Sequence, residues 1–242
     1  MAAALLVAAT LADSPNIDRD TVFRTIVERV ALQGIQGDYL ETGVHTGNSA
    51  VTVGAALKNH NLLTTKRMWL YDAWQGMPEV TAADGETAKA YVGTWGSRSQ
   101  EAVANRLSAA GIDAAAIVWR KGWFNETFLL PKPASIAFLH IDSDWYNSVM
   151  TSLDAFYDLV APGGVVLFDD FGFWEGTRRA FYDFCHKRQL YPLVERIGST
   201  QLYFVNGKTH NRPGGRGRTS KHTKSKPGNE IHPACEWGEH LL

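Results

Sequence analysis

Between residues 38 and 168 the chain repeats one pattern: a short apolar run, a turn, then a stretch with apolar residues at helical spacing. The runs DYLET, RMWLY, AIVW, ASIAFLHI and VVLF carry little of the apolar/polar alternation that marks a strand wet on one face. Such runs belong to strands covered on both faces, and their alternation with helices specifies an α/β domain around a mostly parallel sheet. Helices are predicted at 18–32, where Val22, Ile26, Val27 and Val30 form a stripe, and at 99–110, 148–160 and 177–187. In the third of these, Val149, Leu153, Phe156 and Val160 share a face, and APGG then predicts the turn into VVLF. YPLVERI and TQLYFV follow the last helix with no helix between them, which predicts a closing antiparallel pair. Residues 75–97 are polar and rich in Gly, Pro and Thr, too long for a simple connection, and form a candidate lid over a site.

The length of 242 residues, 45% hydrophobic, accommodates one such domain at 17–205 with an apolar extension at 1–16 and a basic, low-order tail at 206–242. The tail carries seven Lys and Arg against three Glu, so a net charge of -1 for the whole chain leaves residues 1–205 near -5. A mildly acidic domain excludes a nucleic-acid-binding surface there. Cys185 and Cys235 have no zinc or disulfide spacing, and the four tail histidines match no zinc template; the pattern suits a reducing cytoplasm. MAAALLVAATLA lacks a basic leader and is too short to span a bilayer, so it is expected to pack as a helix on the body or on a second subunit of a homo-oligomer, a dimer.

Three features carry chemistry. ETGVHTG, 41–47, places Glu41 and two glycines at the end of the first strand, where open α/β sheets bind ligands and glycine lets a ligand approach the backbone. It lacks the dinucleotide fingerprint and the P-loop lysine. Asp72 ends the second strand, 31 residues after Glu41, where a carboxylate can accept from both hydroxyls of a ribose. Asp142 and Asp144 end the fourth strand and Asp169 and Asp170 the fifth. Residues two apart in an extended segment share a face, so Asp142 and Asp144 would stand side by side as like charges. Four carboxylates in one pocket call for a hard divalent cation, with one left over to remove a proton from a hydroxyl.

ETGVHTG, LYDAWQGMPE, RKGWFNETFLLP and the long run from LHIDSDWYNS through VVLFDDFGFWEGTRRAFYDF resemble, in order and spacing, the macrocin O-methyltransferase family of S-adenosylmethionine- and Mg²⁺-dependent sugar O-methyltransferases. The resemblance covers residues 17–205. It implies a class I methyltransferase fold, a seven-stranded sheet with its last strand antiparallel, acting on deoxysugar hydroxyls of natural products. It further implies that Asp142, Asp169 and Asp170 hold Mg²⁺ and that Asp144 is the general base. Glu41, Thr42 and Gly43 would line the methionine part of the cofactor, Asp72 the ribose, and Gly122 with Trp123 the adenine side; Gly47, Ser49 and Asp142 complete the cofactor set. Family members tend to have Arg-x-Asp-Gly-Asp where this chain has His140 to Asp144, Glu at Asn147, and a tryptophan-basic pair at His45 and Thr46. These neighbours bear on the acceptor pocket.

His140 reads first as a strand histidine satisfied by its neighbours, with a bond to a metal carboxylate as the alternative. Trp74, Trp95, Trp145 and Trp174 read as packing residues, Trp95 in the lid being the exception expected to meet a sugar face. A catechol or other vicinal diol presents the same pair of oxygens as a sugar, and a non-catalytic binding protein on the same fold is the alternative of another class.

Overall fold

The computed structural model describes residues 19–96 and 98–208. The extension at 1–16, Asp18, and the tail beyond residue 208 with its histidines and Cys235 lie outside the described residues. In chain order the elements are α1 (Arg19–Leu32), β1 (Asp38–Thr42), α2 (Asn48–Asn59), β2 (Met68–Asp72), α3 (Gln100–Ala109), β3 (Ile117–Lys121) and α4 (Phe124–Thr127). They continue with β4 (Ile136–Ile141), α5 (Tyr146–Phe156), β5 (Val160–Phe168), α6 (Glu175–Arg188), β6 (Val194–Ile197) and β7 (Gln201–Val205).

The seven strands lie in the order β3-β2-β1-β4-β5-β7-β6. β1 to β5 pair parallel, while β7 runs antiparallel to both β5 and β6, so it alone is reversed. Every residue of β4 is buried, as an unalternating apolar run requires. Successive residues of β1 face opposite layers: Tyr39 packs with Val22, Phe23, Val53 and Val103 of α1 to α3, and Leu40 with Val149, Leu153, Phe181 and Phe184 of α5 and α6. From β1 the chain moves outward through β2 to β3, then crosses back to β4 on the other side. That reversal opens a crevice at the carboxyl ends of β1 and β4, where ligands of such sheets bind.

Two local expectations are corrected. The helix predicted to 160 ends at Phe156, followed by the 3-10 turn Tyr157–Leu159, and Val160 opens β5 by pairing with Ile136. Val160 is buried against the same core as Phe156, so apolar spacing could not separate helix from strand there. APGG lies within β5 as an irregularity in its pairing with β4 rather than as a turn. Secondly, β4 stops at Ile141 and Asp144 takes a left-handed conformation, φ 56°, so strand alternation does not set its direction.

Candidate active site

The parallel ladder continues past the strand ends and carries the sequence-derived candidates into one row. Gly122 N donates to Asp72 O at 3.0 Å, Gly43 N to Tyr71 O at 2.9 Å, Asp142 N to Thr42 O at 2.9 Å and Asp169 N to Ile141 O at 3.0 Å. A Cβ on Gly43 would lie 1.7 Å from the carbonyl oxygen of Asp142, and its φ is +91°, so only glycine allows β1 and β4 to meet here. Asp72 fixes the loop after β1: Oδ2 accepts from Val44 N and His45 N, both at 2.8 Å, and Oδ1 from Trp74 N at 2.6 Å. Oδ1 keeps a second lone pair for a ligand.

Along this row runs a cavity of about 770 Å³, within the range that holds a small-molecule ligand. Gly43, Asp72, Gly122, Trp123, Asp142, Asp144 and Asp170 line it. Glu41, Thr42 and Asp169 are buried and do not line it, so they act from behind the wall. Gly47 is buried against α3, where a Cβ would lie 2.5 Å from Val103 Cγ1, and Ser49 donates to Glu41 Oε1. These two shape the helix and the buried layer.

The aspartate cluster is the electrostatic centre. Burial first, and then the charges of Asp169, Asp170 and Asp144, push the Asp142 carboxyl well above the usual carboxylate range. Burial, then Asp170, raises Asp144 in the same way, against the stabilising bond from Trp174 Nε1 to its Oδ1 at 2.7 Å. No lysine or arginine lines the cavity among the described residues. Behind the cluster His140, 1% exposed, bridges two carboxylates: Nδ1 lies 3.1 Å from Glu41 Oε1 and Nε2 3.4 Å from Asp169 Oδ1. Burial favours its neutral form, but the bonds to Asp169 and Glu41 outweigh it and raise the imidazole to about 9. Gln201 of β7 also donates to Asp169 Oδ1.

One ligand atom each from His140, Asp142 and Asp169 falls within 4.8 Å of the others. Both nitrogens of His140 already face carboxylates, which leaves the aspartates as the donors able to turn to an ion. An all-oxygen set whose members resist ionising together, with no facing lysine or arginine, fits a hard divalent cation such as Mg²⁺.

Four residues of this site were not singled out from the sequence as members of it. Trp174 was read as packing, but it also holds Asp144, and Thr177 Oγ1 donates to Asp144 O at 2.6 Å. Asp84 and Gln201 carried no local signal of a place in the site, because the partners that join them to it, Tyr146 and Asp169, lie 62 and 32 residues away in the chain. Of the four tryptophans weighed for the acceptor, Trp145, Trp174 and Trp74 are buried and Trp95 is 45% exposed on the cavity wall, joined there by Phe173 at 55%.

The family described as Macrocin-O-methyltransferase (TylF) matches residues 14–206. The chain belongs to that family of O-methyltransferases. Within the macrocin O-methyltransferase family it is 27% identical over 183 residues to the 8-demethyl-8-(2,3-dimethoxy-alpha-L-rhamnosyl)-tetracenomycin-C 4'-O-methyltransferase of Streptomyces olivaceus, covering 74% of this chain and 69% of that one. It is 28% identical to the mycinamicin III 3''-O-methyltransferase of Micromonospora griseorubida, covering 74% and 72%. Among solved structures, the O-methyltransferase NovP superposes with a TM-score of 0.71 at 24% identity, over 78% of this chain and 80% of that one. The calicheamicin methyltransferase CalS11 superposes at 0.66 and 20% identity, over 85% and 92%. The macrocin O-methyltransferase sheet, six strands in one direction and β7 reversed, is thus shared with these enzymes, and the chemistry is methyl transfer to a hydroxyl oxygen. No helix among the described residues is long and apolar enough to cross a membrane.

Proposed function

We propose that this O-methyltransferase takes S-adenosylmethionine as donor and methylates a hydroxyl of a sugar attached to a natural product, with Mg²⁺ held by Asp142, Asp169 and Asp170. The observation that carries the reading is the position of Asp144. It is the cluster carboxylate beyond the three assigned to the ion, it lines the cavity, and one of its oxygens is fixed by Trp174.

S-adenosylmethionine supplies the methyl group on a sulfonium, and Mg²⁺, when bound, polarises acceptor oxygens as a Lewis acid. The chain's own residues do the rest. Gly43 borders the donor side of the cavity, Asp72 offers Oδ1 to a ribose hydroxyl, and Gly122 with Trp123 borders the adenine side. Asp144 receives the hydroxyl proton at its carboxylate, whose affinity for a proton is raised by burial and by Asp170. Trp95 and Phe173 present exposed ring faces on the cavity wall, the surface that the apolar face of a sugar ring requires. Holding hydroxyl and methyl in line is worth about 7 to 11 kcal/mol in well-oriented reactions.

The test is formation of S-adenosylhomocysteine with a panel of rhamnosylated polyketides, other deoxysugar glycosides and simple catechols, with and without Mg²⁺. Turnover of a glycoside that chelation abolishes supports the reading. Turnover of catechols alone replaces the sugar with another diol, and turnover in chelator removes the metal role.

A further inference from the structure

The segment 77–94 closes on itself and then docks on the catalytic turn. Its ends are tied by Met77 N to Thr94 O at 3.0 Å and Gly93 N to Met77 O at 2.9 Å. From its middle Asp84, 2% exposed, reaches the residue that opens α5: Oδ1 accepts from Tyr146 N at 2.6 Å. α5 has no cap of its own, since the side chain of Trp145 at its N-cap makes no capping bond to the helix, so a residue 62 positions away supplies it. Oδ2 accepts from Thr81 N at 2.7 Å and Thr81 Oγ1 at 2.8 Å, which holds the carboxylate in one orientation.

Space has been cleared for this contact. A Cβ on Gly176, in the first turn of α6, would lie 2.1 Å from Asp84 Oδ1, although Gly176 has no positive φ to require glycine. Trp145 Nε1 donates to Pro78 O at 3.0 Å, and Ala88 packs with Trp145 and Trp174. Tyr146 is two residues after Asp144, and Trp174 and Thr177 hold Asp144 from the far side. The segment thus holds the turn in which Asp144 adopts φ 56° from the side of Trp145 and Tyr146, and the start of α6 holds it from the other.

We propose that Asp84 is a positioning residue for methyl transfer: it latches the segment 77–94 onto the turn bearing Asp144, so that Asp144 is aligned only while the segment is docked. The proposal rests on the reading of Asp144 as the base. A latch acts on geometry at the reacting oxygen and not on donor binding, so its loss falls on kcat; displacements of about 1 Å cost about 100-fold.

The experiment compares Asp84→Ala, Asp84→Asn, Gly176→Ala and Asp144→Asn in the full chain. Readouts are kcat and KM with the best glycoside of the panel, S-adenosylhomocysteine affinity by calorimetry, and tryptic cleavage after Lys89, which sits exposed in the segment. Asp84→Ala and Gly176→Ala are expected to lose kcat by about 100-fold, to bind S-adenosylhomocysteine as the parent does, and to be cut faster after Lys89. Gly176→Ala disturbs the same contact while leaving Asp84 in the chain, because its Cβ would meet Asp84 Oδ1 at 2.1 Å and Tyr146 N at 2.8 Å, which covers the case of an Asp84→Ala chain that does not fold. Asp84→Asn keeps an oxygen for Tyr146 N and is expected to recover part of kcat. Parent-like kcat in Asp84→Ala or Gly176→Ala overturns the latch, as does a loss of kcat matched by an equal loss of S-adenosylhomocysteine affinity. If Asp144→Asn abolishes turnover while those variants do not lose it, the base assignment stands and the latch alone falls. If Asp144→Asn turns over normally, the base assignment fails and takes the latch with it.

Discussion

Trp174 Nε1 donates to Asp144 Oδ1 at 2.7 Å, and Trp174 is itself buried against Trp145 with ring centroids 4.9 Å apart. A donor locked by packing holds one oxygen of Asp144 and stabilises its anion. Trp174→Phe keeps most of the packing and removes a bond to a charged group worth about 2 kcal/mol. The expected result is a kcat at least about tenfold lower. Because the bond lowers the proton affinity of Asp144, its loss also moves the acidic limb of the pH-rate profile to higher pH. An unmoved limb would separate Trp174 from the base.

Cation binding should strengthen with pH. Asp142 and Asp144 hold protons well above the usual carboxylate range because of burial and of their carboxylate neighbours. A divalent ion must displace those protons, so its apparent affinity rises as they leave. Their raised proton affinity also makes the metal-free fold lose stability as pH climbs above the unfolded carboxylate value, which widens the benefit of the ion. The rise in melting temperature given by about 1 mM Mg²⁺, about a thousand times a micromolar dissociation constant, is expected to grow between about pH 5 and pH 8, values spanning the carboxylate-to-neutral range. Asp170→Asn should abolish it. A pH-independent shift would place the ion elsewhere.

Gly43→Ala should damage the fold and the site together. The added carbon meets Asp142 O at 1.7 Å and the backbone sits at φ +91°. A cost of about 3 kcal/mol is expected from the clash and the conformation combined. Urea unfolding measures the cost, and donor affinity by calorimetry should fall with it. A change below about 0.5 kcal/mol, the size of an ordinary surface substitution, would mean that the two strand ends do not meet as described.

His140 supplies a stability term with a defined window. Bonds to Asp169 and Glu41 raise its imidazole to about 9, so in chelator the imidazolium contribution is fully present below the unfolded value near 6.5 and is lost as pH rises through about 9. The urea midpoint of the parent relative to His140→Gln is expected to narrow across that interval. A difference that stays constant, or widens, would show the histidine to be neutral between its carboxylates.

The sheet was legible because β1, β2, β4 and β5 lack polar alternation, and the closing β6 and β7 pair because no helix separates them. The aspartates were legible as residues ending apolar runs. Their directions were not: Asp144 turns into the cavity through a left-handed residue fixed by Trp174 and Thr177, contacts made across 30 and 33 positions of chain. Asp72 reads as a ribose acceptor, yet most of its lone pairs go to Val44, His45 and Trp74 in tying the cofactor loop to β2. Asp84 was hidden for the same reason as Gln201. A capping carboxylate that serves a distant helix has no sequence neighbour to betray it, whereas Ser99, which caps its own helix α3, is visible at once.

Convergence of Asp142, Asp169 and Asp170 on one divalent ion is tested most directly by Mn²⁺ titration with electron paramagnetic resonance detection of free Mn²⁺, in the presence of S-adenosylhomocysteine. The expected result is one Mn²⁺ bound per chain, displaced by Mg²⁺, with binding lost in Asp170→Asn and retained in Asp144→Asn. Free Mn²⁺ undiminished by millimolar protein, or binding that survives Asp142→Asn, Asp169→Asn and Asp170→Asn alike, would contradict it.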